Sequence, residues 1–510
     1  MNQTTLIKKD PKDLKILLVQ PSTHDAVQCL FTYHKNEGLG HKPPLAVLIL
    51  ATHLKYLGYK NVKCLDAQME GLTVEETACR IAEEAPDFIG LTVWTDFWYP
   101  TWKTVQAIRS KLPESTIMLG GPHCSVFPKE TLENSEADYV VKGDGEDVIA
   151  HVVDAISKQK IVEEIPGLFR KHDGKVLVPM IELSAVPDIE HMPFPDRTLL
   201  PINKYSSVLN ASEYETTMIT SRGCPHKCNF CKMDVQKVYC RTAEQVVEEF
   251  KAIQDLGITD IQIYDDTFTW SKKRVKEICE GILAKNIKVN WAVRDRVKRA
   301  DLELYKLMRK AGCYRVHFGV ETGSKRILDA TGKATTLEEA ENALSMAKEA
   351  KFTTMAYYMF GFPDETMEDA QKTIDFSLKL DADYSVYSVT IPYPGTALYD
   401  LGLERKLIPY DFWLKYTKNP EPNYRIPHLV EQHMDRDTLI GVKNKALRTY
   451  YFRPKKIAKE LSSLSSFLEF KRKTSMALNI FTDSFSPLFG NTKTKKGKNF
   501  DMYHSVNNVP

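Results

Sequence analysis

The strongest chemical signal in the chain is a run of three cysteines in eight residues, Cys224, Cys228 and Cys231. They lie in Thr220-Ser221-Arg222-Gly223-Cys224-Pro225-His226-Lys227-Cys228-Asn229-Phe230-Cys231, a C-x3-C-x2-C spacing. Three thiolates this close can hold three corners of a [4Fe–4S] cube, leaving one iron open to a substrate or cofactor. The competing reading is a structural zinc knuckle, which wants a fourth close Cys or His. His226 lies inside the loop, but the spacing is not a common zinc pattern. The other seven cysteines (Cys29, Cys64, Cys79, Cys124, Cys240, Cys279 and Cys313) are scattered. Most of them read as buried small hydrophobes rather than a disulfide framework.

The elements that must position this loop follow from apolar patterning. Short apolar runs predict strands at 216–221, 260–264, 288–293, 315–319, 353–360 and 382–389. Helical periodicity predicts helices at 243–256, 272–285, 302–311, 337–350 and 367–380. Right-handed crossovers would curve six such strands into part of a (β/α) barrel with an open side. The cysteine loop then falls after the first strand, at the barrel end where such folds place their chemistry. Upstream, strands at 14–20, 62–66, 87–94, 116–119 and 137–141 alternate with helices at 44–57, 74–84, 101–112 and 146–158. That alternation predicts a parallel sheet covered on both faces, a doubly wound domain.

The expected fold class is α/β: an N-terminal Rossmann-like domain, a partial (β/α)6 barrel and a helical C-terminal region. The expected division is a polar tail at 1–12, the Rossmann-like domain at 13–158 and a proline-rich linker at 159–210. The barrel follows at 211–425, then a helical region at 426–490 and a disordered tail at 491–510. At 510 residues, 43% hydrophobic and 27% charged, the chain can bury large cores. A net charge of +2 carries no global footprint for nucleic acid. No apolar run is long enough to span a bilayer, and Met1 to Asp13 lacks a signal-peptide core, so a cytoplasmic protein is expected. Residues 451–510 hold 11 Lys/Arg against 4 Asp/Glu. That excess fits a solvated helical cap, or peripheral contact with an anionic membrane if the substrate is a lipid.

The C-x3-C-x-Φ-C pattern, with Phe230 as the aromatic, resembles the radical S-adenosylmethionine (SAM) superfamily over about residues 211–425. The resemblance implies that Cys224, Cys228 and Cys231 ligate the cluster. It implies that the free iron takes the amino and carboxylate groups of SAM. One electron, from a flavodoxin- or ferredoxin-type donor, then cleaves SAM to a 5′-deoxyadenosyl radical. Other strand ends look like the family's SAM-contacting segments. Asp265 and Asp266 suit the ammonium group, with a helix N-cap as the plainer role for Asp266. Arg294 suits a carboxylate, or a salt bridge to Asp265 or Glu321. Glu321 suits a ribose hydroxyl or amino group, with Ser324 nearby. Gly361 and Pro363 shape a turn that lets backbone approach adenine. Pro392-Tyr393-Pro394-Gly395-Thr396 reads as a rigid wall.

A doubly wound domain ahead of such a barrel resembles the cobalamin-binding subgroup, which includes methylases of unactivated carbon or phosphorus and the anaerobic Mg-protoporphyrin monomethyl ester cyclase. Thr92 and Thr95, Gly120 and Gly121, and Gly143 end three successive strands and are the expected cobalamin contacts. The D-x-H-x-x-G pattern for histidine ligation of cobalt is absent: His24 lacks the flanking Asp and Gly, and Asp66-Ala67-Gln68 has Gln where His would stand. No histidine ligation is expected. The implied function is methylation of an unactivated carbon of a small-molecule or lipid-like substrate. The alternatives are an oxidative cyclase or carbon–carbon coupling enzyme, a methylthiotransferase, or a non-enzymatic metal-binding module.

Overall fold

The first element shows how the chain builds its layers. Lys15–Gln20 (β1) is an apolar run in which every residue after Lys15 is buried, which demands a central strand with both faces covered. The structure is a computed structural model. It describes residues 11–27, 40–158, 160, 162, 164–181, 189–207, 209–210, 212–233, 235–426 and 432–462, with a few positions between 473 and 481. Residues 1–10 of the expected N-terminal tail, the expected C-terminal tail, Cys29 and part of the proline-rich linker lie outside the described residues. Two units are distinguished.

In the first unit, β1 is flanked by Asn61–Asp66 (β2) and Phe88–Thr92 (β3), followed by Thr116–Gly120 (β4) and Tyr139–Val141 (β5). The parallel order is β2-β1-β3-β4-β5. Helices Leu45–Tyr56 (α1), Val74–Glu84 (α2) and Trp98–Lys111 (α3) make the first three crossovers, short helices Pro122–Val126 and Pro128–Glu133 make the one from β4 to β5, and Glu146–Ser157 (α4) follows β5. The order reverses between β1 and β3, and ligands of open α/β sheets bind beyond the carboxyl ends at such a switch. Leu168–His172 (β6) extends the sheet antiparallel to β5, and Lys175–Leu177 (β7) pairs antiparallel with β6. Within the expected linker, then, the Asp173-Gly174 turn is a true hairpin. Both residues have positive φ, 48° and 71°, as a two-residue I′ turn requires. Residues Trp413–Arg425 also belong to this unit. There the Trp98 indole donates to the Thr417 carbonyl (3.1 Å) and the Tyr416 hydroxyl accepts from Tyr99 N–H (3.0 Å).

The second unit is the barrel. Glu215–Met218 (β8), Asp260–Ile263 (β9), Asn290–Asp295 (β10), Cys313–Glu321 (β11), Thr353–Phe360 (β12) and Tyr384–Val389 (β13) pair in chain order, all parallel. Among the described residues β8 and β13 do not pair, so the six-stranded barrel stays open. The crossovers are Ala243–Asp255 (α5), Lys272–Ala284 (α6), Leu302–Lys310 (α7), Leu337–Glu349 (α8) and Met367–Leu380 (α9). α5, α8 and α9 each begin with a capping box, on Thr242, Thr336 and Thr366, which satisfies the first orphan N–H groups.

Strand alternation sorts the side chains. Ile261 and Ile263, Trp291 and Val293, Val316, Phe318 and Val320, and Tyr358 and Phe360 pack outward into one core with the helices. Trp291 is fully buried, its indole N–H donating to the Ala311 carbonyl (2.9 Å). The alternate positions, Gln262, Arg294, Arg315, His317, Glu321 and Tyr357 among them, fall on the opposite, inner face.

Candidate active site

The cysteine loop leaves the end of β8 and is held by the protein at several points. Ser221–Arg222 pairs antiparallel with Tyr239–Cys240, and Cys224 N–H donates to the Val235 carbonyl (3.0 Å). Gly223 has φ +96°, and a Cβ there would collide with the Lys237 carbonyl, so only glycine fits this turn. Asn229 N–H donates to the Thr331 carbonyl (2.9 Å), Asn229 Nδ2 to the Ala330 carbonyl (2.8 Å), and Leu398 N–H to the Asn229 carbonyl (2.8 Å). Phe230 packs edge-on against Phe362, with centroids 5.9 Å apart, beside Ile327 and Met359. The expected aromatic is therefore an anchor between the loop and the end of β12.

The three thiols lie within electrostatic reach of one another. Burial pushes the Cys231 thiol up to about 12, with Cys228, Asp266 and Cys224 adding to the shift. Burial also raises Cys224. Among the described residues no group of three or more His, Cys, Asp or Glu could hold a single metal ion. A cluster spreads its ligands wider than one ion does, and a trio of soft sulfur donors suits it. Cations surround the loop. The Arg296 guanidinium donates to Cys228 Sγ (3.6 Å). Burial, then Arg296, Arg299, Lys298 and Lys333, hold the His226 imidazole down at about 4, so it stays neutral.

The adjacent acids separate sharply. Asp265 is 1% exposed and accepts from Thr220 N–H (2.6 Å), Ser221 N–H (3.1 Å) and both their hydroxyls. It ties the loop's root to β9. Asp266 keeps one carboxylate oxygen buried with no hydrogen-bond partner. Burial, then Asp265, raise its carboxyl to about 7. A buried acceptor left open beside the thiols fits the ammonium group of SAM.

Glu321, at the end of β11, is buried and in the left-handed region (φ 70°). It forms a buried ion pair with Lys333, whose Nζ also donates to the Gly319 carbonyl (2.8 Å). Ser324 donates to Asp369 (2.6 Å), the acid that completes the Thr366 capping box of α9. Gly361 has φ +98°, and its N–H and that of Phe362 both donate to the buried Glu365, closing the turn that carries Pro363. Arg294 stacks on the Tyr264 ring, its Cζ 4.0 Å from the centroid. No salt bridge to Asp265 or Glu321 forms. Lys333 and Arg296 were not among the expected residues. Alternation from Arg294 to Arg296 could have flagged the second; nothing local marks the first.

In the first unit the expected contacts gather at the carboxyl ends of β3, β4 and β5. Gly121 has φ +109°, and a Cβ there would lie 3.0 Å from Thr92 Oγ1 and from the Val93 N and O atoms. A Cβ on Gly120 would meet nothing within 4 Å, which leaves an open cradle at the strand end. Gly143 (φ +94°) donates its N–H to Ser125 Oγ (3.1 Å). Thr95 is buried at the start of a 3-10 turn. This glycine-lined edge fits a bulky nucleotide-like tail approached by backbone. His123 is fully buried, stacked on Trp98 at 4.9 Å, and burial lowers its imidazole to about 3. It is core, consistent with the absence of the cobalt-ligating pattern.

An open six-stranded barrel with a thiolate trio after its first strand, joined to a switch-point α/β domain, defines a two-domain cofactor enzyme. Comparisons with known proteins agree. The Radical SAM superfamily matches residues 218–377, and the B12 binding domain matches residues 38–153. An uncharacterized methyltransferase of Pyrococcus horikoshii is 32% identical over 467 residues, 90% of this chain and 96% of that protein. The anaerobic magnesium-protoporphyrin IX monomethyl ester cyclase of Rubrivivax gelatinosus is 27% identical, over 96% of this chain and 88% of its own. A solved structure of the radical SAM methyltransferase TsrM of Kitasatospora setae, with cobalamin and a [4Fe–4S] cluster, superposes with TM-score 0.71 at 19% identity. The match covers 92% of this chain and 99% of that one, and it shows the shared fold. The chain belongs to the radical SAM superfamily, in the branch that carries a B12-binding domain. It is an enzyme whose family cofactors are a [4Fe–4S] cluster, SAM and cobalamin.

Proposed function

We propose that this enzyme methylates an unactivated carbon of a small-molecule or lipid-like substrate. When bound, the cluster supplies the electron that cleaves SAM, and cobalamin carries the methyl group. The chain's own residues have distinct tasks in this reading. Cys224, Cys228 and Cys231 hold the cluster. Arg296 places positive charge against one of its sulfurs, which favours the reduced state. Asp266 binds the SAM ammonium through its open oxygen, and the Glu321–Lys333 pair offers a fixed acceptor and donor at the end of β11. The Gly361–Pro363 turn shapes the adenine side. Thr92, Thr95, Gly120, Gly121 and Gly143 seat cobalamin in the first unit by backbone approach. The observation that carries the reading is the unpartnered buried oxygen of Asp266 beside three clustered thiols.

Relatives named as methyltransferases support methyl transfer, and the cyclase relative supports a second reading, oxidative cyclisation. A flavodoxin- or ferredoxin-type donor would supply the electron, and a cytoplasmic location accords with that partner. Among the described residues no helix is long and apolar enough to cross a membrane. Contact of the basic C-terminus with a membrane surface falls mostly on residues outside those described. Anaerobic reconstitution with iron, sulfide, hydroxocobalamin and reductant tests the reading. Release of 5′-deoxyadenosine together with a product one methylene heavier is expected. A product that has only lost hydrogen would move the assignment to the cyclase, and failure to cleave SAM would end both.

A further inference from the structure

The inner face of the barrel carries charge that the cluster loop does not use. Arg294 and His317 are register partners on β10 and β11, two residues on from the Ala292–Arg315 pair and two residues before Arg296, whose guanidinium touches Cys228. Three cations converge on His317: burial, then Arg315, Arg294 and Lys42, push its imidazole well below its ordinary range. It is neutral, accepting from Arg315 Nε (3.0 Å) and meeting the Tyr357 hydroxyl (2.8 Å).

The three cations differ in what holds them. Arg315 is bonded on all sides, to the Leu209 carbonyl (2.6 Å), Gln262 (3.1 Å) and His317. Arg294 and Lys42 have no hydrogen bond or ion pair among the described residues. Each lies over the Tyr264 ring, at 4.0 and 5.3 Å from its centroid. The nearby acids form no ion pair with them: Asp266 is within electrostatic reach of Arg294, but burial and then Asp265 raise its carboxyl to about 7. Asp260 takes the Tyr314 hydroxyl (3.1 Å) and Gln262 (3.2 Å). Glu215, fully buried, is raised to about 7 by burial, against the pull of Lys42. Two partly buried cations on one aromatic ring, with their N–H donors uncommitted, make an oxyanion site. The stacked His317 and Tyr357 rings (5.9 Å) add an apolar wall.

We propose that Lys42 and Arg294, set around Tyr264, form the subsite that grips the acidic group of the substrate, a carboxylate or phosphate on an apolar or aromatic body. The inference deepens the proposed function and rests on it for the word substrate. It removes Arg294 from the SAM contacts expected from sequence. Lys42 was not expected at all, because its segment reaches β9 only through tertiary folding.

The test uses the full chain reconstituted with cluster and cobalamin, and equilibrium dialysis of three probes: 3-phenylpropionate, phenylphosphonate and the neutral 3-phenylpropionamide. The wild type should bind at least one anion about tenfold or more tightly than the amide, as expected for a charge-assisted contact. The relative affinities of carboxylate and phosphonate identify the group preferred. Lys42→Gln and Arg294→Gln should each weaken that anion about tenfold while SAM binding holds. Lys42→Arg and Arg294→Lys, which keep the charge and guard against misfolding, should retain most of the affinity. Equal binding of anion and amide, or Gln variants that bind the anion as wild type does, would overturn the proposal. Loss of SAM affinity in Arg294→Gln with anion binding intact would assign the guanidinium to the SAM carboxylate and overturn it too. SAM cleavage in the same preparations reports on the enzyme reading independently. Normal cleavage without anion binding sinks the subsite alone, and no cleavage in wild type sinks the parent reading.

Discussion

The two units prepare for their cofactors in opposite ways. In the proposed reading, recognition at the carboxyl end of β3–β5 is built from absence: Gly120 leaves open space and Gly121 presses backbone against Val93. At the barrel's carboxyl end, it is built from charge: Asp266, Arg296, and the Glu321–Lys333 pair stand around the thiols. A large, largely preformed ligand can be held by shape and backbone. A small sulfonium and a cluster that changes charge need fixed side-chain electrostatics. The contrast teaches that substitutions in the first unit should act through volume, and those in the second through charge.

The largest expected effect tests whether the two mechanisms are separable. Cys228→Ala should abolish 5′-deoxyadenosine release and lower iron content, while hydroxocobalamin still binds the first unit, as read by its absorbance after gel filtration. Loss of both cofactors would break the contrast. Next, Asp266→Asn keeps shape and removes charge. It should weaken SAM by about 10-fold or more, the size of a charge-assisted hydrogen bond, with iron content unchanged. Gly121→Ala keeps charge and adds volume where φ is +109° and neighbours stand at 3.0 Å. Strain of about 1–3 kcal/mol should appear as reduced cobalamin occupancy and a lower first-unit melting temperature, with SAM binding intact.

The smallest effect sharpens the comparison from inside the barrel. The Gly361–Glu365 turn is shaped by backbone, as in the first unit, but a buried acid closes it. Burial pushes the Glu365 carboxyl to about 7, against an ordinary 4.5. The acid is thus harder to ionise folded than unfolded. Its contribution to stability is fully present below pH 4.5 and is lost as pH rises toward 7. Glu365→Gln should flatten that part of the stability–pH curve, changing the melting temperature by only a few degrees. A steeper curve in the variant would show that the ionised form is the one the turn prefers.

Legibility in the sequence follows the same division. Helix 74–84, strand 353–360 and helix 367–380 were expected with the bounds the structure shows, because capping boxes and continuous apolar runs are local signals. Gly121 and Gly143, just past β4 and β5, were legible as turn glycines because a positive φ leaves a residue-type mark. The cysteine trio was legible by spacing alone. Lys333, Arg296 and Lys42 were not, because their importance lies in which distant residue they meet. Asp265 and Asp266 could not be told apart: adjacent in sequence, they diverge only when Thr220 and Ser221 fold back onto one of them. The turn at 171–175 reads as hairpin-like in the sequence, but its strands at 168–177 fall inside the expected connector because antiparallel edge strands lack the strand–helix alternation that revealed the rest.

The anchoring of the cysteine loop has one more consequence. Its contacts to Val235, Thr331, Ala330 and Leu398, and the close approach of Gly332 to the Lys227 carbonyl (3.0 Å from a Cβ placed there), all come from protein atoms. In the proposed reading the aim of the three thiols is thus set by stretches of chain far from them in sequence, so a substitution at Asn229 or Thr331 should misplace the cluster while every cysteine is kept.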